Sequence, residues 1–180
     1  TAEGGADNDV VRGGIGNDFL YGDTGNDSVH GGSDDDYLEG GEGDDLLEGG
    51  TGNDTMFGDA GIDTATYVNA SGTVVVSLAI TTDQDTGTEG YDVLDGIENL
   101  IGSRHADVLT GNAGNNALLG LDGADAIFGG DGNDSLSGGS GDDELTGGVG
   151  NDEFDGGVGN DIMSGGTGND YFFGNAGADH

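Results

Sequence analysis

Between Gly129 and Phe173 an aspartate recurs at every ninth position: Asp134, Asp143, Asp152, Asp161 and Asp170. The units that carry them read GGDGNDSLS, GGSGDDELT, GGVGNDEFD, GGVGNDIMS and GGTGNDYFF, a single template GGxGxDxUx in which U is a large apolar residue. Each aspartate offers a hard anionic oxygen. Glycines at positions one, two and four allow positive φ and close backbone approach, so several carbonyls can converge in one tight turn. Such a set of carboxylate and carbonyl oxygens, without cysteine or paired histidine, suits calcium rather than a transition metal. At position five, Asn133, Asp142, Asn151, Asn160 and Asn169 are residues that tolerate the left-handed region such a turn can demand.

These aspartates need elements to position them. The last three residues of a unit read as a short strand, with U turned inward and its neighbours outward. One unit then makes half a coil, and about two units, roughly eighteen residues, make one turn of a parallel β-helix. Stacking brings each position-six aspartate to about 4.8 Å from its equivalent two units later. Two carboxylates that close repel strongly unless a cation lies between them.

The same phase starts at Gly4. It runs through GGADNDVVR, GGIGNDFLY, GDTGNDSVH, GGSDDDYLE, GGEGDDLLE, GGTGNDTMF and GDAGIDTAT, with Asp7 and Asp34 in place of the third glycine and Ala65 as a weak core residue. From Thr66 to about Thr86 the phase is lost. There the alternation of Val74, Val76, Leu78 and Ile80 predicts a half-buried strand over 73–80, longer than those of the repeats, with a second strand at Tyr67 and Val68 turned back at 69–72. GTEGYDVLD from Gly87 is a degenerate copy, a six-residue unit follows, and full phase resumes at Gly102. The organisation expected is a first block over 1–66, an irregular spacer with longer strands over 67–101 and a second block over 102–180. Asn116 and His105 replace template residues where the second block begins, so fraying is expected there first.

Composition narrows the function. Thirty-seven acidic residues face two arginines and no lysine, for a formal charge of -35. That excludes a nucleic-acid surface and disfavours anionic membranes. Charge and hydropathy alone describe a disordered chain, so the repeats require a cation to fold. With no cysteine there is no disulfide and no zinc-thiolate site. No stretch reaches the length of a membrane span, and no basic-then-apolar signal segment is visible at the start.

The array resembles the RTX nonapeptide of calcium-binding, hemolysin-type parallel β-rolls, and the segment DTATYVNASG followed by GIENLIGS is similar to the spacer leading into the rolls of serralysin-type proteases. The resemblance implies an all-β, right-handed parallel β-roll in which the position-six aspartates and glycine-rich carbonyls hold Ca2+ between adjacent turns. Carried over by position, the pairs are Asp9 with Asp27, Asp27 with Asp45, Asp45 with Asp63, Asp18 with Asp36 and Asp36 with Asp54. In the second block they are Asp107 with Asp125, Asp125 with Asp143, Asp143 with Asp161, Asp161 with Asp179, Asp134 with Asp152 and Asp152 with Asp170. That gives about eleven bridged calcium sites. A twelfth, between Asn116 and Asp134, would lack one charge.

The function implied is a non-catalytic, calcium-folded structural module of a secreted protein, extracellular by way of type I export, with an attached upstream domain as its covalent partner. The alternative is a self-assembling filament, matrix or adhesin subunit that stacks end to end with calcium. Other features carry less. The segment 83–89 lacks the length and glycine position of an EF-hand loop. Ser103, His105 and Asp107 are too close in sequence to make a catalytic triad. His30 and His180 stand alone, without an HExxH helix. Tyr171, Phe172 and Phe173 read as an end-of-array core or contact patch rather than a carbohydrate platform, with Phe172 ending the core of Leu136, Leu145, Phe154 and Met163.

Overall fold

The computed structural model describes residues 1–180, and every regular element in it is a β-strand. The first block holds β1 (Ala2–Ala6), β2 (Val10–Ile15), β3 (Phe19–Thr24), β4 (Ser28–Ser33), β5 (Tyr37–Glu42), β6 (Leu46–Thr51), β7 (Thr55–Ala60) and β8 (Thr64–Thr66). The middle holds β9 (Val75–Ser77), β10 (Gln84–Asp85), β11 (Tyr91–Asp95) and β12 (Asn99–Ile101). The second block holds β13 (Val108–Thr110), β14 (Ala117–Asp122), β15 (Ala126–Asp131), β16 (Ser135–Ser140), β17 (Glu144–Val149), β18 (Glu153–Val158), β19 (Ile162–Thr167) and β20 (Tyr171–Phe173). No helix is long and apolar enough to cross a membrane.

Most repeat strands have six residues rather than the three expected, because the chain stays extended through the first glycines of the next unit. In β5 the inward residues are Leu38 and Gly40, and the position-one glycine thus belongs to the buried face. Strands two units apart pair in parallel, so that Leu38 lies beside Leu20 and Met56. The fold is a parallel β-solenoid whose core is a stack of U residues, from Val11 and Leu20 through Leu145 and Phe154. At the last turn Met163 is only partly buried and Phe172 is 45% exposed, stacked on Phe154 at 4.6 Å. They lie at the rim of the core that the sequence assigns them to.

One face is a single nine-stranded sheet, in the order β2-β4-β6-β8-β12-β14-β16-β18-β20. The opposite face is divided: six strands, β1-β3-β5-β7-β11-β10, then five, β19-β17-β15-β13-β9. The spacer therefore contributes to both blocks, with β11 on the edge of β7 and β9 on the edge of β13. The long strand expected over 73–80 is three residues, although Val74, Val76 and Leu78 are buried as the alternation requires. Ile80 is exposed, because the chain turns at 78–79 to reach β10. Tyr67 and Val68 form no strand; Tyr67 follows β8 and tucks its ring into the core.

Positive φ occurs at positions two and four of the units and not at position five. Asp7 (φ 78) and Asp34 (φ 76) hold the left-handed conformation of the glycine they replace, as a short polar side chain can. Leu121 (φ 84) is at position two and cannot do so without strain. Leu121→Gly is expected to stabilise the calcium-loaded chain by about 1 kcal/mol. An unchanged or lower urea midpoint would show that the left-handed turn carries no such cost.

Candidate metal sites

The register of the strands sets the position-six residues in columns. Each backbone N–H donates to Oδ1 of the aspartate one turn on: Asp9 to Asp27 at 2.7 Å, Asp27 to Asp45 at 2.7 Å and Asp45 to Asp63 at 2.8 Å. Across the solenoid, Asp18 donates to Asp36 and Asp36 to Asp54, both at 2.8 Å. In the second block Asp107 reaches Asp125 and Asp125 reaches Asp143 at 2.8 Å, Asp143 reaches Asp161 at 3.0 Å and Asp161 reaches Asp179 at 3.1 Å. Asp134 reaches Asp152 at 2.9 Å and Asp152 reaches Asp170 at 3.1 Å. All eleven pairs named from the sequence are thus adjacent, and Asn116 meets Asp134 in the same way at 2.9 Å.

The second oxygen is left over. Oδ2 of Asp27, Asp36, Asp45, Asp54, Asp63, Asp125, Asp134, Asp143, Asp152 and Asp161 is buried without a hydrogen-bond partner. A buried carboxylate oxygen with no donor is costly. Beside each one is the position-one glycine of its own unit, where the side chain is missing. A Cβ at Gly13 would lie 2.8 Å from Asp18 Oδ2 and 2.8 Å from the carbonyl oxygen of Gly31, one turn on. The same two kinds of oxygen converge at Gly4, Gly22, Gly31, Gly120 and Gly129. Nowhere do three His, Cys, Asp or Glu side chains cluster; the other oxygens beside these carboxylates are backbone carbonyls. Paired carboxylates and carbonyls with an unmet negative charge fit a hard divalent cation.

Electrostatics point the same way. Burial, opposed by the backbone N–H and reinforced by stacked neighbours, pushes the carboxyls of Asp54, Asp63 and Asp125 up from 3.8 to about 7. Asp36, Asp45, Asp134 and Asp143 are raised for the same reasons. A carboxyl that keeps its proton to about pH 7 in the fold, against 3.8 in the free chain, favours the fold fully below 3.8; that contribution is lost as pH rises through about 7. In chelator the chain is therefore expected to gain β-structure between about pH 8 and pH 4. A circular dichroism signal that weakens on acidification would contradict this.

Several contributors were not legible in the sequence. Asp92 continues the column of Asp18, Asp36 and Asp54, accepting the Asp54 N–H at 3.0 Å. Glu98 extends the other column, its Oε2 2.9 Å from the Asp63 N. Both lie 35 to 38 residues from their partners rather than 18, which breaks the signal. Position five forms a ladder of its own, running the opposite way: side-chain oxygens of Asn8, Asn26, Asn115 and Asn133 accept the backbone N–H one turn later at 2.7 to 3.1 Å. The position-five residues are used for this acceptor and not for a left-handed turn.

The remaining candidates separate clearly. Asp107 has both oxygens engaged, by Ser103 and by Val74 N–H. His105 meets Ser103 only through its backbone N–H, so no triad forms. His30 Nδ1 lies 2.8 Å from Glu48 Oε2, whose other oxygen accepts from Asn69. In the 83–89 segment Asp85 caps the Gly87 N–H, and Glu89 accepts from Thr88.

Comparison with known families adds a single match. The model of the RTX calcium-binding nonapeptide repeat, in four copies, matches residues 1–29, 30–65, 92–127, 101–136, 119–154, 128–163 and 155–180. The unmatched residues, 66–91, span the stretch in which the nine-residue phase is lost and the start of the degenerate copy at Gly87. No curated protein matches the chain.

Proposed function

The chain belongs to the family of RTX calcium-binding nonapeptide repeats, and from that premise we propose that it is a structural module of a secreted protein, folded by calcium once outside the cell. The repeats bind Ca2+. The observation that carries the reading is the set of ten buried, partnerless Oδ2 atoms stacked in register. The ligands proposed are the position-six aspartates of facing turns, with carbonyl oxygens of the glycine turns completing each set. Asp107 contributes less than its sequence position suggests, since Ser103 already occupies its Oδ2.

Calcium, when bound, supplies positive charge between stacked carboxylates. The rest is the work of the chain. The Asp N–H to Oδ1 bonds hold one oxygen of each carboxylate still, which leaves Oδ2 aimed at the glycine cradle. The U residue beneath excludes water from the strand side. Without the ion, a formal charge of -35 and the unmet oxygens oppose folding. Low-affinity sites, with dissociation constants on the order of 0.1 to 1 mM, would leave the chain unfolded at cytosolic calcium and folded outside. That behaviour suits export through a narrow channel before folding. The module is proposed to serve an attached domain as a folded, calcium-dependent support and to perform no catalysis itself.

Far-UV circular dichroism during a calcium titration tests the proposal. The expected result is a coil spectrum in chelator at neutral pH and a cooperative rise in β signal at submillimolar to millimolar calcium. Full β signal in chelator, or no response to calcium, would overturn it.

A further inference from the structure

Two of the fully buried column aspartates differ from the ten with orphaned oxygens. Asp92 is 1% exposed, and so is Asp107. Asp92 Oδ2 is 3.1 Å from the Tyr67 hydroxyl and 2.9 Å from Thr86 Oγ1. Thr86 Oγ1 also lies 2.9 Å from the Gly90 carbonyl, and of the two acceptors the carboxylate is the stronger. Asp107 Oδ2 accepts the Ser103 N–H at 2.5 Å, while Oδ1 takes the Ser103 hydroxyl at 2.8 Å and the Val74 N–H at 2.9 Å. Tyr67, Thr86 and Ser103 are themselves buried, so these donors are shielded from water.

The continuous face shows a third device. Asn116 occupies position six there, and its Nδ2 donates to the Glu98 carbonyl at 2.7 Å. An amide donor thus stands where the strict units of Asp134, Asp143, Asp152 and Asp161 have an unmet anionic oxygen. Asp92 lies within the spacer, and Asp107 and Asn116 are the first two position-six residues after it. The core is also thicker here than in the repeats, where each unit buries one U residue. Tyr67, Val74, Val76, Leu78, Leu94 and Ile97, all from the segment between the two blocks, are buried in the common core.

We propose that the junction between the two blocks holds its column residues with hydroxyl and amide donors instead of calcium, and so forms the metal-independent seed from which both blocks fold. The inference rests on the reading of the position-six aspartates as calcium ligands. Fixed donors favour the charged form of Asp92 against its burial, without depending on calcium concentration. In a solenoid each turn gains stability from its neighbours, so a turn closed in advance lowers the cost of adding the next on both sides. β11 offers its edge to β7, and β9 offers its edge to β13. The order of opening is the reverse of that suggested by Asn116 and His105 as template departures: the strict repeats open first and the junction last.

Residue-resolved hydrogen exchange on the full chain, as calcium is lowered with chelator, tests this. Amides of Asp54, Val74, Val93 and Val108 are expected to exchange about tenfold or more slower than those of Asp143, Asp152 and Asp161 at sub-saturating calcium. The double variant Tyr67→Phe, Thr86→Val is expected to remove that difference on the first-block side and to raise the calcium midpoint about threefold, with the loaded fold unchanged. Should it fail to fold, Ser103→Ala reports the same effect independently for the second block. Junction amides that exchange as fast as the strict repeats, in a chain that still folds with calcium, overturn the seed alone. A chain that calcium does not fold overturns the calcium-folded module.

Discussion

Asp125→Asn is expected to act in opposite directions with and without calcium. In calcium, the folding midpoint should move up about tenfold, because Asp125 is proposed to bridge to both Asp107 and Asp143 and its charge is gone. In chelator at neutral pH the same variant should be more structured than the parent, by about 1 to 3 kcal/mol at that turn, since a buried oxygen without a donor is removed. The geometry supports the second half. Oδ1 would still accept the Asp107 N–H, and the new Nδ2 would sit where Asp125 Oδ2 and the Gly138 carbonyl converge beside Gly120. Asn116 already makes that kind of bond, to Glu98. The raised carboxyl of Asp125, about 7, gives the same sign, because burial and the charges of Asp143 and Asp107 resist its ionisation. Paired calcium titrations followed by circular dichroism decide the matter. Destabilisation in both buffers would mean that the aspartate serves the fold and not the ion.

The second large effect is at a position-four glycine. Gly150→Ala should cost about 3 kcal/mol or more in the calcium-loaded chain. Its φ is +148, and the added Cβ would press into the Gly132 carbonyl of the preceding turn. Gly14→Ala separates the two causes: φ there is +110, but nothing lies within 4 Å of the added carbon. That variant should lose only about 1 to 2 kcal/mol, the cost of the backbone conformation. Urea unfolding of both in saturating calcium gives the comparison. Equal losses would show that turn-to-turn crowding is not what selects glycine at position four.

The period of nine made most of this fold legible. A residue that meets its equivalent eighteen positions on announces both the strand register and the columns, and Asp9 through Asp179 fall where that spacing puts them. What failed was anything without a fixed interval. Asp92 occupies position six of a unit recognisable as a degenerate copy, yet its partner Asp54 is 38 residues away, so counting by eighteens passes over it. The alternation of Val74, Val76 and Leu78 correctly foretold which side chains are buried. It could not foretell that the strand would stop after Ser77, because the limit comes from its neighbours. Glycine was also over-read at one position: at position one it is needed for room beside the carboxylate rather than for left-handed φ.

The divided face has a consequence for how the two blocks are joined. Along the nine-stranded sheet, backbone hydrogen bonds form an unbroken series of links parallel to the solenoid axis. On the other face that series is interrupted between β10 and β9, and the Gln84 side chain bridges the interval, accepting the Ser77 N–H at 2.7 Å and donating to the Ser77 carbonyl at 3.0 Å. A single amide thus imitates the missing strand. Hydrogen bonding along the axis passes the junction through one sheet and, on the divided side, through the Gln84 side chain. The two faces thus join the blocks differently, by backbone hydrogen bonds on one side and by a side-chain amide over a shared apolar core on the other.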